Sequence, residues 1–354
     1  MSLYLFFCPK FSFMVNSKFS YLLRNGKNPK FVYYGINYIR LIIPKIFFQV
    51  RLKKELEKLE KLEKSDDKEY IIQRVNYYNQ VDRTCLSTIH NNWKEELIPL
   101  KKQSMCKQKV YFFDTFEYTR WFPQHLKWRL CPGDLTSVPE IPSIVKSRPL
   151  VPNNENSVIM KLDKVRHFIF VKDNKSFSEK KNMAVFRGKI GAPGTNGFKE
   201  NRYRFLERYW GHPMCNLGEI KGRNTNSQWI AEKMTLRQHL DYKFIISLEG
   251  NDVASNLKWV MSSNSLAVMP RPTCETWFME GRLIPNYHYV EIKSDFSDLE
   301  ERLKYYIEHP QAAEEIICHA HEYVEQFKNP EREKLISLFV LKKYFEEIDS
   351  VAGK

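Results

Sequence analysis

Three short apolar runs in the C-terminal half constrain the fold of this 354-residue chain most strongly. They are rich in β-branched and aromatic residues and lie at 244–248, 265–269 and 287–292. The spacer at 254–261 has the length and composition of about two helical turns. Short strands separated by a short helix are typical of βαβ units. The pattern therefore predicts an α/β fold that contains a parallel sheet.

The segment that follows the first run is a candidate ligand-binding loop. Ligands of parallel sheets bind at the carboxyl ends of strands, where loops meet the N-termini of helices. Residues 249–252 read Glu-Gly-Asn-Asp and occupy such an end, and Ser255 is the expected N-cap of the next helix. We predict that an anionic ligand binds here, with Glu249, Gly250 and Ser255 as candidate contacts.

A second candidate loop begins at Arg187-Gly188-Lys189 and continues with glycines at 191, 194 and 197. Glycine lets backbone N–H groups approach phosphate oxygens, and arginine can bind phosphate through two hydrogen bonds. The loop is not a Walker A motif, because no Gly-Lys-Ser/Thr ends it. On these residues alone, an ordinary loop is the simpler interpretation.

The order of several motifs resembles glycosyltransferase family 90. The motifs are Phe-Arg-Gly at 186–188, Tyr-Lys-Phe-Ile-Ile-Ser-Leu-Glu-Gly-Asn at 242–251, Ser-Asn-Ser-Leu-Ala-Val at 263–268, Glu-Thr-Trp-Phe at 275–278, Tyr-His-Tyr at 287–289 and Lys-Ser-Asp-Phe-Ser-Asp-Leu at 293–299. The resemblance covers about residues 108–330 and is closest to the bacterial lipopolysaccharide core branch. It implies two Rossmann-like domains of the GT-B type that face each other across a cleft, with a UDP-hexose as the donor.

The resemblance also implies which residues contact the donor. They are Arg187, Gly188, Lys189, Glu249, Gly250, Ser255, Asn256, Lys258 and Glu275. Family members generally have an arginine directly after the serine, whereas this chain has Asn256. Either Lys258 or Arg223 replaces the lost charge. Glu275 is expected to accept hydrogen bonds from ribose or sugar hydroxyls, or to cap a helix.

Asp134 is the candidate catalytic base. Inverting sugar transfer needs a carboxylate that deprotonates the acceptor hydroxyl as it attacks the anomeric carbon. Asp134 lies in the proline-rich loop 131–150, where the resemblance to O-glucosyltransferases implies the catalytic aspartate. Glu140 and Asp114 are rivals, and Pro-Gly-Asp is also an ordinary turn composition.

The sequence predicts no metal and no cofactor besides the donor. It contains no Asp-x-Asp motif, with which many other glycosyltransferases hold a divalent cation. Arginine, lysine and helix N-termini would then stabilise the leaving phosphate. The seven cysteines are dispersed without a Cys-x-x-Cys motif, which indicates reduced thiols and argues against a zinc site. The lack of metal ligands also disfavours a phosphate-ester hydrolase.

The positive charge is concentrated at the N-terminus. The chain has a formal net charge of +14, and residues 1–54 contain ten Lys or Arg and no Asp or Glu. Such a segment binds nucleic acid or an anionic membrane. No nucleic-acid-binding module accompanies it, so we predict the inner-membrane surface as the partner and no nucleic acid. Residues 31–50, interrupted by Pro44, favour an interfacial segment; a helix packed on the protein core is the alternative.

The remaining pattern divides the chain into four parts. These are a basic membrane-associating extension (1–64), an N-terminal acceptor-side domain (65–154), a nucleotide-sugar-binding domain (155–320) and C-terminal helices (321–354), the last of which crosses back. We expect a solvated spacer helix at 51–64, strands at 109–114, 158–162 and 167–171, and helices at 297–309, 311–327 and 334–348. Residues 1–15 lack the features of a membrane span or a signal peptide, and Met14 is an alternative start.

Together these patterns predict an inverting, metal-independent hexosyltransferase. The resemblance to glycosyltransferase family 90 implies that it transfers a hexose from a UDP-sugar to a lipid-linked lipopolysaccharide core oligosaccharide. The basic N-terminal segment agrees with a cytoplasmic, peripheral protein on the inner face of the inner membrane. The alternative is a non-catalytic basic peripheral protein that binds anionic lipid or nucleic acid, an alternative supported by Asn256.

Overall fold

The computed structural model describes residues 28–62, 65–87, 89–90, 92–222, 225 and 227–350. The candidate start at Met14 and the candidate ligand Arg223 lie outside these residues. The helices are α1 (Lys30–Ile42), α2 (Ile46–Leu56), α3 (Ser65–Tyr78), α4 (Arg83–Ser87), α5 (Lys109–Thr119), α6 (Lys164–His167), α7 (Glu200–Tyr209), α8 (Leu236–His239), α9 (Leu257–Met261), α10 (Leu299–Glu308), α11 (Pro310–Glu325) and α12 (Pro330–Ser350).

Short strands alternate with these helices. They are β1 (Ile98–Pro99), β2 (Lys127–Trp128), β3 (Leu130–Cys131), β4 (Ser143–Val145), β5 (Ser147–Pro149), β6 (Ser157–Ile159), β7 (Lys181–Val185), β8 (Cys215–Asn216), β9 (Glu219–Ile220), β10 (Ile230–Ala231), β11 (Tyr242–Ile246), β12 (Leu266–Met269), β13 (Cys274–Thr276) and β14 (Val290–Glu291). Four 3₁₀ segments within the described residues complete the set: Trp93–Glu96, Leu100–Lys102, Ser227–Trp229 and Glu280–Arg282.

The main sheet is parallel, in the order β14-β12-β11-β7-β8. Its central strand β11 is buried on both faces, which explains why it reads as a continuous apolar run. Phe244 and Ile246 belong to one hydrophobic core, and Ile245 between them belongs to the other. The prediction of an α/β fold with a parallel sheet is therefore confirmed.

A smaller parallel sheet, in the order β3-β4-β6, precedes the main one along the chain. An antiparallel pair of β5 and β13 joins the two parts, with Arg148 opposite Glu275. Helix α12 packs against α3, so the last helix contacts the N-terminal part as expected. The division into two Rossmann-like domains and the boundaries after residues 64, 154 and 320 stay predictions.

Two predicted strands are wrong. The run at 109–114 belongs to helix α5, whose Tyr111, Phe112, Phe113 and Phe116 are buried on several sides. A helix buried all round has no polar face, so its aromatic run imitates a strand. The run at 167–171 contains the end of α6 and then irregular chain. The strand expected at 158–162 corresponds to β6.

The prediction of a solvated spacer helix at 51–64 is also wrong, because the helix ends earlier and the segment packs against the protein core. Helix α2 ends at Leu56, and residues 65–67 begin the next helix instead of ending the previous one. Asp66 and Asp67 lie in the first turn of α3, where negative charge favours helix formation. Leu59 is buried in the protein core, so the segment is not a solvated spacer. Among the described residues, no helix is long and apolar enough to cross a membrane.

Candidate functional site

Asp134 lies on the loop after β3, and its carboxylate meets the loop after β11. Oδ1 of Asp134 is 2.5 Å from Nζ of Lys146, and Oδ2 accepts a hydrogen bond of 3.3 Å from the Asn251 amide. The guanidinium of Arg166 is 3.8 Å from Oδ1. The fold thus brings the candidate base next to the candidate ligand loop 249–252, although 117 positions separate Asp134 from Asn251.

Lys146 is shared between two carboxylates. Its Nζ is also 2.7 Å from Oδ2 of Asp252, and the same oxygen accepts a hydrogen bond of 2.7 Å from the Ser147 hydroxyl. The Lys146 and Asp252 side chains are 1% and 5% exposed, whereas that of Asp134 is 28% exposed. Asp134 is therefore the carboxylate of this group that a ligand can reach.

The charges around Asp134 keep it ionised. Partial burial acts to raise the pKa of Asp134, but the Lys146 ammonium and, more weakly, the Arg166 guanidinium hold that pKa below its usual value. Asp163, which pairs with Arg166, behaves in the opposite way, because burial dominates and raises its pKa. An ionised carboxylate at neutral pH is the state that a general base requires.

A cavity of about 240 Å³ opens beside the same loop. Ser247 and Glu249 from the end of β11, Pro270 and Arg271 from the end of β12, and Arg204 from α7 are among its lining residues. The cavity therefore lies at the carboxyl edge of the parallel sheet, where ligands of α/β folds bind. A cavity of about 250 Å³ between α3 and α12 is mostly apolar and shares no residue with the Asp134 cluster.

Two features of the cavity suit a polar, anionic ligand. The Ser247 hydroxyl is buried and has no hydrogen-bond partner among the described residues, so it is free to bind a ligand. Arg204 is exposed on the cavity wall. Arg271 has a side chain that is 74% exposed, and it donates a hydrogen bond of 3.1 Å to Glu291 through Nε. Sequence reasoning missed all three residues, because no motif distinguishes them from other serines and arginines.

Glu249 lines this cavity, but its oxygens already accept hydrogen bonds. Oε1 accepts from the backbone N–H groups of Thr273 and Cys274, and Oε2 accepts from the Thr273 hydroxyl. Burial raises the pKa of Glu249. Gly250 follows in a tight turn, where a Cβ would lie 3.1 Å from the Arg202 guanidinium. Glu249 therefore fixes the segment after β12 at the wall of the cavity.

The glycine-rich loop is tied to the cavity by Arg202 of α7. Its guanidinium donates to the carbonyl oxygens of Leu248 at 2.8 Å, Glu249 at 3.1 Å and Lys189 at 3.1 Å. Burial lowers the pKa of Arg202 to about 10. Lys189 is exposed. A Cβ on Gly188 would lie 2.6 Å from the Phe186 ring, so the absence of a side chain at Gly188 permits the close approach of that ring to the backbone.

Arg187 is used internally in this structure. It donates to the carbonyl oxygens of Phe186, Asn216 and Glu232 and to the side chain of Asn216. Burial lowers the pKa of Arg187. Because four of its N–H groups are already donated, this conformation leaves no pair of donors for the bidentate phosphate contact that the sequence predicts.

Ser255 is not the N-cap that the sequence predicts, and Lys258 is paired inside the protein in this conformation. Asn256, not Ser255, occupies the N-cap position of α9, and its amide donates to the Ile246 carbonyl at 3.0 Å. Lys258 is fully buried and forms a very short ion pair with the buried Glu280. In this conformation the buried carboxylate of Glu280 neutralises the charge of Lys258, and the expectation that Lys258 replaces the family arginine stays a prediction.

Glu275 is internal as well. Its Oε1 is 2.7 Å from Nη2 of Arg148, its Oε2 accepts from the Tyr77 hydroxyl, and the residue is 1% exposed. Glu275 connects β13 with β5 and α3, which is a structural role in this conformation. Its predicted contact with a sugar or ribose hydroxyl stays a prediction.

The rival bases are less well placed than Asp134. Asp114 is 1% exposed in α5 and accepts hydrogen bonds from the Tyr33 hydroxyl at 2.7 Å and the Lys164 amide at 3.0 Å. Glu140 is exposed, and its carboxylate makes no contact with the Asp134 cluster. No group of three His, Cys, Asp or Glu within the described residues is arranged to hold a metal ion. The predicted independence of metal stays a prediction.

Comparison with known proteins gives the family. The model of glycosyl transferase family 90 matches residues 152–344, which is more than half of the chain. The chain is 40% identical to the O-glucosyltransferase LpsA of Dichelobacter nodosus over 300 residues, which cover 83% of this chain and 88% of that protein. It is 27% identical to the uncharacterized protein 027R of Frog virus 3 over 159 residues, 16% of that protein. The chain therefore belongs to glycosyltransferase family 90 and is a glycosyltransferase.

Proposed function

We propose that this protein is an inverting glucosyltransferase that moves glucose from a UDP-sugar to a lipopolysaccharide core oligosaccharide. The observation that carries the proposal is the meeting of Asp134 with the loop 249–252, which also lines the cavity at the sheet edge. The name of the 40% identical relative, an O-glucosyltransferase, supports glucose as the hexose. The lipopolysaccharide acceptor is supported by the resemblance to the bacterial branch of the family.

In this proposal Asp134 is the general base. Lys146 and Arg166 approach Oδ1, whereas Oδ2 receives only the long contact from Asn251. Oδ2 is therefore the oxygen that accepts the proton of the acceptor hydroxyl. The deprotonated oxygen attacks the anomeric carbon, the bond from that carbon to the UDP oxygen breaks, and UDP leaves with the bonding electrons.

The donor diphosphate would bind at the cavity edge. Arg204 and Arg271 supply positive charge, and the unpartnered Ser247 hydroxyl supplies a hydrogen bond. Charge developing on the leaving UDP is stabilised best by donors fixed in advance. This assignment replaces Lys258, whose charge Glu280 neutralises, and it requires no metal. Lys189 at the mouth of the glycine-rich loop is a further cation that is exposed.

The proposed acceptor is lipid-linked, so the enzyme would act at the cytoplasmic face of the inner membrane. The non-catalytic alternative keeps one argument, since Asn256 stands where the family has an arginine, and its side-chain amide donates to the Ile246 carbonyl. Binding of UDP separates the two ideas, because a ligand that binds only the folded state raises the apparent melting temperature.

The test is turnover of UDP-glucose on a core oligosaccharide acceptor, in the presence of EDTA. Asp134→Asn should lower kcat by about 10²- to 10⁴-fold while UDP still raises the melting temperature. Glu140→Gln, in the same loop, is the matched control and should keep full activity. Full activity of Asp134→Asn would overturn the assignment of the base. A wild-type protein that neither binds UDP nor turns over any UDP-hexose would overturn the enzyme proposal.

A further inference from the structure

Helices α1 and α2 are attached to the protein through polar contacts as well as through aromatic and aliphatic packing. In α1 the Tyr33 hydroxyl donates to Asp114 at 2.7 Å and Arg40 pairs with Glu117 at 2.9 Å, both on α5. Beside α2, Lys45 donates to Gln124 at 2.6 Å. A helix on a water-exposed surface normally turns its apolar side to the core and its polar side outward. Here the inward side is mixed, since Tyr34 and Leu41 pack against the aromatic cluster of α5 beside these polar contacts, and the outward side is not the polar one.

The outward side of the two helices is apolar. Six large side chains on it are more than half exposed, and we call them the apolar face: Phe31, Ile39, Ile42, Ile46, Phe47 and Val50. These six side chains lie on the outward side of the two helices. The opposite side is turned inward and is formed by residues 33, 34, 37, 40, 41, 45, 48 and 49. A contiguous exposed apolar surface of this kind marks an interaction site.

The charges around the apolar face have one sign. Residues 28–54 contain no Asp or Glu, and Lys30, Arg51, Lys53 and Lys54 are exposed at its ends. None of these four forms an ion pair within the described part of the chain. Two copies of this chain that met through this face would bring like charges together, with no carboxylate from residues 28–54 to pair with them. An anionic surface is the complementary partner.

We propose that the apolar face inserts into the interfacial layer of an anionic lipid bilayer, with the flanking cations on the lipid headgroups. The bilayer would then cover the apolar side chains that the protein leaves exposed, and α1 and α2 would lie along its surface. The inference concerns a surface outside the proposed active site and does not depend on which sugar is transferred.

Hydrogen bonds and ion pairs connect the helices of the apolar face to the candidate base. Asp114 of α5 accepts from the Lys164 amide at 3.0 Å, and Lys164 in turn contacts Glu117 at 2.9 Å. Arg166, in the same short helix as Lys164, approaches Asp134. Helices α5 and α6 therefore link the membrane-binding surface to Asp134, so docking would fix the orientation of the active site relative to the membrane.

The first experiment measures binding of the full chain to vesicles of phosphatidylglycerol and phosphatidylethanolamine, with phosphatidylcholine vesicles for comparison. Ile39→Asp and Phe47→Asp should each lower the partition coefficient by at least about tenfold, because each removes one apolar side chain that inserts into the bilayer and adds a charge there. Lys53→Gln should lower it by about fivefold on the anionic vesicles alone. Ile284→Asp, a comparably exposed isoleucine elsewhere (54% against 62% for Ile39), should leave it unchanged.

Unchanged binding of Ile39→Asp, or an equal loss in Ile284→Asp, would overturn the proposal. A second readout excludes other occupants of the face, namely maleimide labelling at position 39 in the full-chain variant Ile39→Cys, located by mass spectrometry. Rapid labelling in solution and protection on anionic vesicles support the bilayer. Protection without vesicles would mean that a second copy or another part of the chain covers the face, which contradicts the proposal. Vesicle binding without sugar turnover would reject only the enzyme proposal.

Discussion

Replacing Lys258 by methionine tests whether this cation is structural or binds the donor. Lys258 is fully buried, and Glu280, 2% exposed, accepts from it and from the Thr276 amide at 2.6 Å. Lys258→Met leaves the Glu280 carboxylate buried without its counter-ion, and breaking a buried pair in this way costs about 3–5 kcal/mol. For a chain of 354 residues the unfolding entropy is about 0.7 kcal/mol per kelvin, so the melting temperature should fall by roughly 4–7 °C.

The same variant should bind UDP as tightly as the wild type at temperatures well below unfolding. The measurements are thermal unfolding and titration calorimetry with UDP. The double variant Lys258→Met/Glu280→Gln should recover most of the lost stability, because the glutamine keeps a hydrogen-bond acceptor and removes the unpaired charge. Lys342→Met, which breaks an exposed pair with Glu346, is the control and should cost at most about 1 kcal/mol.

The reasoning would be refuted by the opposite pair of results. If Lys258→Met were as stable as the wild type while its Kd for UDP rose tenfold or more, the lysine would be a phosphate ligand. The buried pair with Glu280 would then be absent from the active protein, and the original expectation for Lys258 would hold.

Three further predictions follow from the charges of the site and of α5. Lys146→Met removes the cation that lowers the pKa of Asp134, so the acidic limb of the kcat/KM profile should move to higher pH; an unmoved limb would exclude Asp134 as the titrating base. Asp114 is buried with its pKa raised to about 6, so stability that is present below about pH 4 is lost as pH rises through 6. Relative to Asp114→Asn, the wild type should lose about 3 kcal/mol of unfolding free energy over that range, and urea unfolding at pH 4 and 7 checks this. Arg204→Gln should weaken UDP binding by about tenfold or more, whereas Arg208→Gln, on the same helix but outside the cavity, should not; calorimetry decides.

The main sheet could be predicted because its signal is local. Strands β11 and β12 are buried on both faces, and such strands appear in the sequence as unbroken apolar runs. The run at 287–292 was predicted too long, since Asn286 adopts a left-handed φ of 56° and begins a turn. Only Val290–Glu291 pairs with β12. Pro285-Asn286 is a turn signal that the apolar pattern obscured.

The candidate site depended on contacts that no local pattern contains. Sequence reasoning selected Asp134 and the loop 249–252 separately, and the fold brings them together. Lys146, which links Asp134 to Asp252, carries no motif and differs from other lysines only in being buried between two carboxylates. The burial and the pairing of Lys146 result from the packing of β4 and β5 against the loop after β11. No local sequence pattern contains that packing.

The same limit applies to the cations that the sequence predicts as donor contacts. Arg187 belongs to the Phe-Arg-Gly motif and Lys258 lies two residues after Asn256, yet in this conformation protein carbonyls occupy Arg187 and Glu280 neutralises Lys258. A cation contributes to anion binding only through donors and charge that the protein has not already used. Arg204 meets that condition, because its side chain is exposed on the cavity wall and forms no ion pair within the described residues. The family motifs therefore indicate a region of the fold, while the unused charge around the cavity distinguishes the side chains that we propose as phosphate contacts.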